Sequence, residues 1–466
     1  MHQEKQSTAS GGDEAAAAEG TAASGKTMRR VAAASFVGTL IEGYDFVIYG
    51  TAAALVFPRV FFPALGSAAA LVASLATFGV AFLARPIGGV VFGHLGDRLG
   101  RKKTLVTTLV LMGTATVLIG LVPPASQIGV AAPILVVVLR FLQGISQGGE
   151  WAGAILFVTE HAPKAKRGFW AMFPVLGATL PVALGNATFL LTGAGMSSSA
   201  FLSYGWRIPF LASALLIAVG LYTRLKVDET PAFQGEQSRR GVARMPFVEA
   251  FKRQPRDIIV ASGVGLMVFS LAYFSSTYLT SYGTGALHLP RTFVLTVSSV
   301  GGLFFSAGVV LSAALSDRIG RRRLLGALNI LAVVWALVMF GILEAGSEVR
   351  FAAVVWVTFS IAGAGYAPLG AFLPEQFHTR YRYTATGIAY NLAGVIGGGI
   401  GPILAASLIA NFGTPAFAAF LALLALIAAI CTFSLREKGK LDPDTAEAAR
   451  KAVPDNPDPS PRDAVS

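Results

Sequence analysis

Long apolar runs alternate with short polar and charged segments along most of the chain. Each run contains enough apolar residues to cross a bilayer as a helix, which takes about 20 of them. A helix is the expected form because lipid offers no partner to unpaired backbone groups. We predict twelve such segments, at residues 31–56, 68–93, 104–122, 131–159, 168–194, 206–223, 257–283, 292–315, 324–344, 351–373, 384–410 and 413–435. The pattern therefore predicts an all-α integral membrane protein.

Basic residues are concentrated in alternate loops. Of the 37 Lys and Arg residues, 31 lie in the two tails and in every second loop counted from the N-terminus. Loops on the cytoplasmic side carry this excess of Lys and Arg. We therefore expect both termini to be cytoplasmic and the protein to lie in the plasma (inner) membrane. The net charge of +12 is explained by topology, so nucleic acid is not an expected partner.

Composition agrees with a membrane protein and gives no sign of a cofactor. Hydrophobic residues make up 54% of the 466-residue chain and charged residues 13%, against about 25% charged in soluble domains. Cys431 is the single cysteine, which excludes an intramolecular disulfide. The five His residues are scattered singly, so we predict no metal site and no cofactor.

Two charged loops repeat one another in the two halves of the chain. Gly93–Lys103 has the sequence GHLGDRLGRKK and Ala313–Arg323 has the sequence AALSDRIGRRR. An acid followed seven residues later by Arg also recurs, as Glu160 with Arg167 and as Glu375 with Arg382. Such internal duplication is typical of transporters built from two similar helical units. The sequence thus predicts two pseudo-symmetric six-helix halves.

The repeated loop charges are candidates for a latch between neighbouring helices. The alternative is that they are solvated loops that merely obey the positive-inside rule. The recurring acid, Gly and spacing favour a conformational latch. The predicted gating residues are Asp97, Arg98, Arg101, Glu160, Arg167, Asp317, Arg318, Arg321, Glu375 and Arg382.

Domain limits follow from the same pattern. Residues 1–28, rich in Ala, Gly and Ser, are predicted to be a disordered cytoplasmic tail, as are residues 437–466. The N-terminal half is predicted at 29–223 and the C-terminal half at 257–436. The charged segment 224–256 between them is the expected cytoplasmic linker.

Polar residues inside the predicted helices mark candidate sites, because a charge in the membrane costs a few kcal/mol, about 2.5–3.5 on insertion scales, unless it is paired or hydrated. At about 100° per residue, each of two sets lies on one helix face. Each set therefore faces the bundle interior. The alternative for Arg140 is a purely structural ion pair, and the alternative for the two acids of the first set is that they cap a helix kink or pair with Arg85. The first set is Glu42, Asp45 and Tyr49; the second is Arg140, Gln143, Gln147 and Glu150. Tyr390 and Asn391 in the eleventh segment are further candidates, because a Gly-rich stretch that suits a moving element follows them; ordinary helix packing is the alternative there.

The duplicated loop resembles the hallmark loop of the major facilitator superfamily, and Arg140 with FLQG resembles its fourth-helix motif. Several stretches, in order from about residue 30 to 435, are similar to the metabolite:proton symporter family, among them IEGYDFVIYG, RFLQGISQGGEWAGA and EQFHTRYRYTATGIAYN. EHAPKAKRGFW and WRIPFLAS look most like its shikimate-transporter-like branch. The resemblance implies twelve helices in two halves around a central cavity that is open to the two sides of the membrane in turn.

The resemblance also implies roles for individual residues. Asp45 and Glu42 would be proton-linked acids, Arg85 and Arg140 would be cations of the cavity, and Asp97, Arg101, Glu160 and Asp317 would form the cytoplasmic gate.

These features predict proton-coupled uptake of a small carboxylate. Arg offers a planar fork that binds a carboxylate with two hydrogen bonds. Proton coupling needs an acid that titrates near ambient pH, and burial and a neighbouring Arg shift a carboxyl pKa in opposite directions. Symport of a zwitterionic osmolyte such as proline or betaine is the alternative. An enzyme is not expected, because no nucleophile–base pair is evident. The expected partners are the substrate, protons and lipid, and a monomer is expected.

The candidate residues divide by role. The predicted proton-coupling acids are Asp45, Glu42 and Glu150, and the predicted substrate contacts are Arg140, Arg85, Gln143, Gln147, Tyr49, Tyr390 and Asn391.

Overall fold

A computed structural model describes residues 25–99, 101–148, 150–163, 166–225, 246–343, 347–378 and 381–437. Within these ranges the chain forms twelve long helical segments, which we number α1 to α12. The first six are α1 (Gly25–Leu55), α2 (Ser67–Leu99), α3 (Arg101–Leu121), α4 (Ala131–Gln147 and Glu150–His161), α5 (Arg167–Gly193) and α6 (Ile208–Leu225). Short helices Phe57–Val60, Ala125–Ile128, Ser198–Ser203 and Gly205–Arg207 connect them.

The second half repeats this arrangement with two irregular helices. α7 consists of Pro255–Val264, Leu266–Tyr273, a π-helical turn Phe274–Tyr278, and Leu279–Gly285. α8 (Arg291–Ile319), α9 (Arg321–Ile342) and α10 (Glu348–Glu375) are continuous. α11 consists of Arg382–Ala393, a π-helical segment Gly394–Ile400 and Gly401–Phe412, and α12 is Thr414–Ser434. π-Helical turns inside α-helices occur often at functional sites.

The twelve predicted segments are confirmed as helices. Eleven of the described helices are long and apolar enough to span a membrane, and α3 contributes the shorter apolar stretch Val106–Leu121. Two predicted limits differ by six residues, because α1 begins at Gly25, inside the predicted tail, and α2 continues to Leu99, into the predicted loop. The other limits differ by four residues or fewer. A short helix, Pro246–Arg253, lies within the predicted linker. Residues 1–24, 226–245 and 438–466 lie outside the described ranges, and the predicted domain limits stay predictions.

The outer surface of the helices is apolar. Large apolar side chains such as Leu191, Leu215, Leu311 and Phe412 are more than two-thirds exposed. Outward-facing side chains of this kind suit contact with lipid tails, whereas buried polar side chains lie on the inner faces of the helices.

The two halves contact each other along paired helices. α5 packs along α8, α2 packs on α11, and α1 packs on α7. Within the first half, α2 and α4 approach so closely that a Cβ at Gly148 would overlap the carbonyl oxygen of Arg85. Small residues permit such backbone contact in membranes. This contact fixes the positions of Arg85 on α2 and Gln147 on α4.

Candidate functional site

A cavity lies between the two halves. Four helices of the first half (α1, α2, α4 and α5) and four of the second (α7, α8, α10 and α11) line it. Its charged lining residues among the described part of the chain are Glu42 and Arg85. The uncharged polar lining includes Thr39, Gln147, Ser276 and Asn391, and the aromatic lining includes Phe46, Trp151, Phe269, Tyr273, Phe305, Tyr366 and Tyr390. A largely apolar wall with a few convergent polar groups is typical of a small-molecule site.

Arg85 supplies the cavity with a guanidinium group that is already held in place. Its Nη2 donates a 3.0 Å hydrogen bond to Gln147 Oε1. Its Cζ lies 4.6 Å from the ring centroid of Phe82 and 4.7 Å from that of Phe46. Arg85 Nε has no hydrogen-bond partner within the described residues. An anion entering the cavity would therefore meet a cation that is already oriented.

Part of the cavity wall is a stack of aromatic rings. Trp151 and Tyr390 stack with centroids 3.6 Å apart and planes 8° apart. The hydroxyls of Tyr390 and Tyr366 lie 2.6 Å apart in a hydrogen bond. Asn391 Nδ2 donates to the carbonyl oxygen of Gly148 at 2.9 Å, which joins α11 to α4. Residues of both halves thus meet at this wall.

A second set of polar side chains lies deeper in the first half. Asp45 is 1% exposed, and its Oδ2 accepts a 2.9 Å hydrogen bond from the hydroxyl of Thr116 on α3. Gln143 Nε2 donates to the same hydroxyl oxygen at 2.6 Å, and Gln143 Oε1 accepts from Arg140 Nη1 at 3.0 Å. The acid on α1 and the Arg on α4 are therefore joined through two neutral side chains.

Arg140 is fully buried and surrounded by aromatic rings. Its Cζ lies 4.0 Å from the ring centroid of Tyr49, 4.2 Å from that of Phe46 and 5.1 Å from that of Phe78. Its Nε and Nη2, and Oδ1 of Asp45, have no hydrogen-bond partner in the described part of the chain. Cation–π contacts offset part of the cost of burying such a cation.

The structure divides the predicted substrate and proton residues into two groups. Glu42, Arg85, Gln147, Tyr390 and Asn391 line the cavity. Four other predicted residues lie buried behind the cavity wall: Asp45, Arg140, Gln143 and Tyr49. The hydroxyl of Tyr49 donates a hydrogen bond to the hydroxyl oxygen of Thr77 at 2.7 Å. Glu150 is half-buried at the start of the second part of α4 and is outside the cavity lining.

Charged residues of the second half join the halves at the end of the bundle that bears the duplicated loops, which we call the charged face. Asp317 Oδ1 and Oδ2 accept hydrogen bonds from the backbone N–H groups of Gly168 (3.2 Å) and Phe169 (3.1 Å) in the first turn of α5. Arg321 forms ion pairs with Asp317, at 3.2 Å, and with Glu375. Asp317 on α8 therefore connects the first-half helix α5 to a buried network of the second half.

The remaining predicted gating residues make no described contact between the two halves, or their side chains lie outside the described part of the structure. Arg318 is exposed, Arg167 is half-buried at the first position of α5, and Arg382 Nε donates to the carbonyl oxygen of Phe377 at 3.2 Å. The side chains of Asp97, Arg98, Arg101 and Glu160 lie outside the described part of the structure. Their gating roles stay predictions.

One contact between the halves lies at the opposite end, which we call the far face. The guanidinium Cζ of Arg291, at the start of α8, lies 3.8 Å from the ring centroid of Phe201. Phe201 belongs to the short helix that follows α5 and is buried. The cavity thus has a contact between the halves on each side of it.

Thr116 and Phe46 are among the residues of the site that were not predicted from the sequence. Thr116 is one of five threonines in α3, and nothing in their spacing distinguishes it. Phe46 is one of 32 phenylalanines in the chain, and its contacts with both buried arginines become visible only in three dimensions.

Comparison with known proteins places the chain in a family. The profile of the Major Facilitator Superfamily matches residues 35–394 and, in a second match, 285–459. The inner membrane metabolite transport protein YhjE of Escherichia coli K12 is 40% identical over 396 residues, which cover 84% of this chain and 90% of that protein. The shikimate transporter of E. coli K12 is 39% identical, and the match covers 82% of this chain and 88% of that protein. The proline/betaine transporter of E. coli K12 is 34% identical, and the match covers 83% of this chain and 79% of that protein.

Solved structures agree on the fold. A crystal structure of a D-xylose–proton symporter superposes with a TM-score of 0.71 at 18% identity, covering 88% of this chain and 98% of the symporter. The family match, the relatives and the twelve-helix architecture point to one conclusion. This chain belongs to the Major Facilitator Superfamily of membrane transporters and is not an enzyme.

Proposed function

We propose that the protein couples the uptake of a small organic anion to the inward movement of protons. The observation that carries this proposal is the arrangement of Arg85 and Asp45. Arg85 faces a cavity between the halves, and Asp45 lies buried behind the wall of the same cavity. A substrate site and a protonatable site are therefore adjacent but separate.

The substrate is a monocarboxylate with an apolar or planar body. Among the described lining residues Arg85 supplies the cationic group, and Glu42 lines the same cavity. A second or third carboxylate would meet no further cation there and would lie near an acid, which disfavours dicarboxylates and tricarboxylates. The aromatic wall of Trp151, Tyr366 and Tyr390 suits a ring. The shikimate transporter among the relatives supports this choice.

Asp45 is the proton carrier in this proposal. A buried ionised carboxylate is costly unless it is paired and hydrogen-bonded, and Asp45 Oδ1 has no partner within the described residues. Protonation removes this cost and also removes the negative charge that balances Arg140. Neutralising the acid would thereby change the packing between α1, α3 and α4. Glu42 is the second candidate, because it lines the cavity directly.

Alternating access would use the contacts at the two ends of the cavity. The Asp317–α5 contact closes the charged face, and the Arg291–Phe201 contact closes the far face. We infer that the charged face is cytoplasmic, because it carries the Lys/Arg-rich loops, and that both termini lie there. The relative described as an inner membrane protein supports the same location for this chain.

Transport of a zwitterionic osmolyte is the second candidate function. Glu42 and Arg85 together offer both signs of charge to one cavity. Aromatic faces attract quaternary ammonium groups, and the proline/betaine transporter is among the relatives.

Uptake into proteoliposomes would distinguish these functions. Radiolabelled shikimate, benzoate, succinate, citrate, proline and betaine would each be offered with and without an inward proton gradient. Accumulation of a monocarboxylate that a protonophore abolishes supports the proposal, and accumulation of betaine or proline supports the second candidate. Gradient-independent equilibration would contradict proton coupling.

Arg85→Gln should abolish uptake of the accepted acid, whereas Arg59→Gln, a change at an exposed arginine outside the cavity, should not.

A further inference from the structure

Phe46 lies where the cavity meets the buried Asp45–Arg140 network. Its side chain lines the cavity and is 4% exposed. Its ring centroid lies 4.7 Å from Cζ of Arg85, which faces the cavity, and 4.2 Å from Cζ of Arg140, which is fully buried. One aromatic ring therefore contacts the cation of the substrate site and the cation of the buried site.

Other aromatic rings hold Phe46 in this position, and one of them comes from the other half. Phe78 and Phe82 on α2 lie 4.9 and 5.1 Å from Phe46 between centroids. Tyr273 on α7 makes an edge-to-face contact at 5.5 Å. Tyr273 also immediately precedes the π-helical turn of α7, so the ring that crosses between the halves sits at an irregular point of its helix.

The atoms behind Phe46 would bind water if they could reach it. Arg140 Nε, Arg140 Nη2 and Asp45 Oδ1 are buried and have no hydrogen-bond partner within the described residues. An unsatisfied buried polar atom costs about 1–3 kcal/mol, and more when it is charged. Water enters a space that is roomy enough and offers two to four polar partners. Removing the Phe46 ring would create that space beside these atoms.

We propose that the Phe46 ring separates the substrate cavity from the proton site and opens when the halves move apart at Tyr273. The proposal rests on the proton symport inferred above, and Phe46 is a positioning residue in it. While the ring is in place, the network of Asp45 stays dry and its charge state is insulated from the cavity. When α7 withdraws Tyr273, the ring loses one of its supports, and water can reach Asp45 from the cavity.

Chemical accessibility of a cysteine in the buried network tests this separation. Cys431→Ser removes the single cysteine, and Thr116→Cys then places a thiol beside Asp45. The probe is the small neutral reagent 2-hydroxyethyl methanethiosulfonate, and its reaction with the purified protein in detergent is followed by intact mass. The thiol should be protected when Phe46 is present and should react at least about tenfold faster in Phe46→Ala, a change equivalent to about 1.4 kcal/mol.

Phe305→Ala is the matched control. It removes a ring that lines the same cavity and is 4% exposed, as Phe46 is, but that packs against Phe359 and Tyr366 in the second half, so the thiol should stay protected. Equal exposure in both variants, or continued protection in Phe46→Ala, would overturn the proposal. Phe46→Leu serves the same purpose if the Ala variant does not elute as a monodisperse protein, and it should give a rate between those of the wild type and the Ala variant.

A transport measurement separates this inference from the proposed function. With the acid that the wild-type protein accumulates, Phe46→Ala should lose accumulation against a gradient but keep exchange of internal for external acid. If the wild-type protein accumulates none of the tested substrates in response to the proton gradient, the proposed function fails, while the accessibility result still decides whether Phe46 separates the two compartments.

Discussion

The hydroxyl of Thr116 donates the 2.9 Å hydrogen bond that ties α3 to the carboxylate of Asp45 on α1. The same oxygen accepts a 2.6 Å hydrogen bond from Gln143, which in turn accepts one from Arg140. Thr116 and Gln143 together therefore connect the buried acid to the buried arginine. We expect a change in the charge of Asp45 to act on α4 partly through the hydroxyl of Thr116.

Thr116→Val should weaken proton coupling. Valine keeps the shape of threonine but removes a hydrogen bond to a charged group, which is worth about 1.5–3 kcal/mol. We expect gradient-driven accumulation to fall at least about tenfold while exchange at equal substrate concentrations continues. Thr116→Ser retains the hydroxyl and should retain most of the accumulation. Equal accumulation by the Val and Ser variants would show that the hydroxyl has no part in coupling.

Asp45→Asn should abolish concentrative uptake and preserve exchange. The amide imitates a carboxyl that is permanently neutral, so substrate binding to Arg85 persists while proton binding is lost. Uptake under an inward proton gradient and counterflow without it would be measured in the same proteoliposomes. Glu42→Gln is the comparison, because Glu42 lines the cavity and Asp45 does not. If Asp45→Asn still concentrates substrate and Glu42→Gln does not, Glu42 is the carrier.

The helices could be predicted from the sequence because the bilayer imposes both their length and their backbone hydrogen bonding. The predicted segment 168–194, for example, differs by one residue at each end from α5 (Arg167–Gly193). The places where a helix is interrupted by a π-helical turn could not be predicted in this way. The π-helical turn Phe274–Tyr278 lies in an apolar run whose hydropathy is the same whether the turn is α or π.

Many polar residues of the candidate site could be predicted from the sequence. Which of them line the cavity and which lie behind its wall could not. Helical spacing puts Arg140 and Gln147 on one face of α4, and both are buried. Spacing alone does not reveal that Gln147 reaches the cavity while Arg140 lies behind Phe46. Arg140 is separated from the cavity by a ring from another helix, Phe46 of α1. The spacing of residues within α4 does not show which residues of other helices pack against it.

Gly148→Ala should destabilise the first half and displace Arg85. A Cβ at Gly148 would overlap the carbonyl oxygen of Arg85 and the backbone nitrogen of Gly89, and backbone atoms cannot move aside independently. Overpacking of this kind costs about 1–3 kcal/mol. The melting temperature of the purified protein should fall. Gly387→Ala, also in the cavity wall, would bring a Cβ only to 3.6 Å from Ala152 Cβ and should melt like the wild type; an equal fall in both would contradict the packing argument.

Asp317→Asn should loosen the charged face. Asp317 accepts hydrogen bonds from the first turn of α5 and pairs with Arg321, and the amide loses the negative charge that favours both contacts. A loss of about 1–2 kcal/mol changes a two-state ratio about 5- to 30-fold. In the Cys431→Ser background, a cysteine replacing Ser316, which is buried and immediately precedes Asp317, should react faster with a water-soluble maleimide. Arg318→Gln, a change at an exposed neighbour, should leave the rate unchanged, and protection in Asp317→Asn would argue against this latch.

Arg291→Gln should shift the protein in the opposite direction, because its contact lies at the other end of the cavity. The guanidinium of Arg291 lies 3.8 Å from the ring centroid of Phe201, and a cation–π contact contributes about 0.5–2 kcal/mol. Glutamine removes the charge and leaves a shorter polar side chain. Spin labels on the far-face ends of α5 and α8 should move apart, while labels on the charged face move closer together. Phe201→Leu, which removes the ring and keeps the cation, should give the same shift. A variant pair that separates both faces at once would indicate loss of packing between the halves instead of a change in their equilibrium.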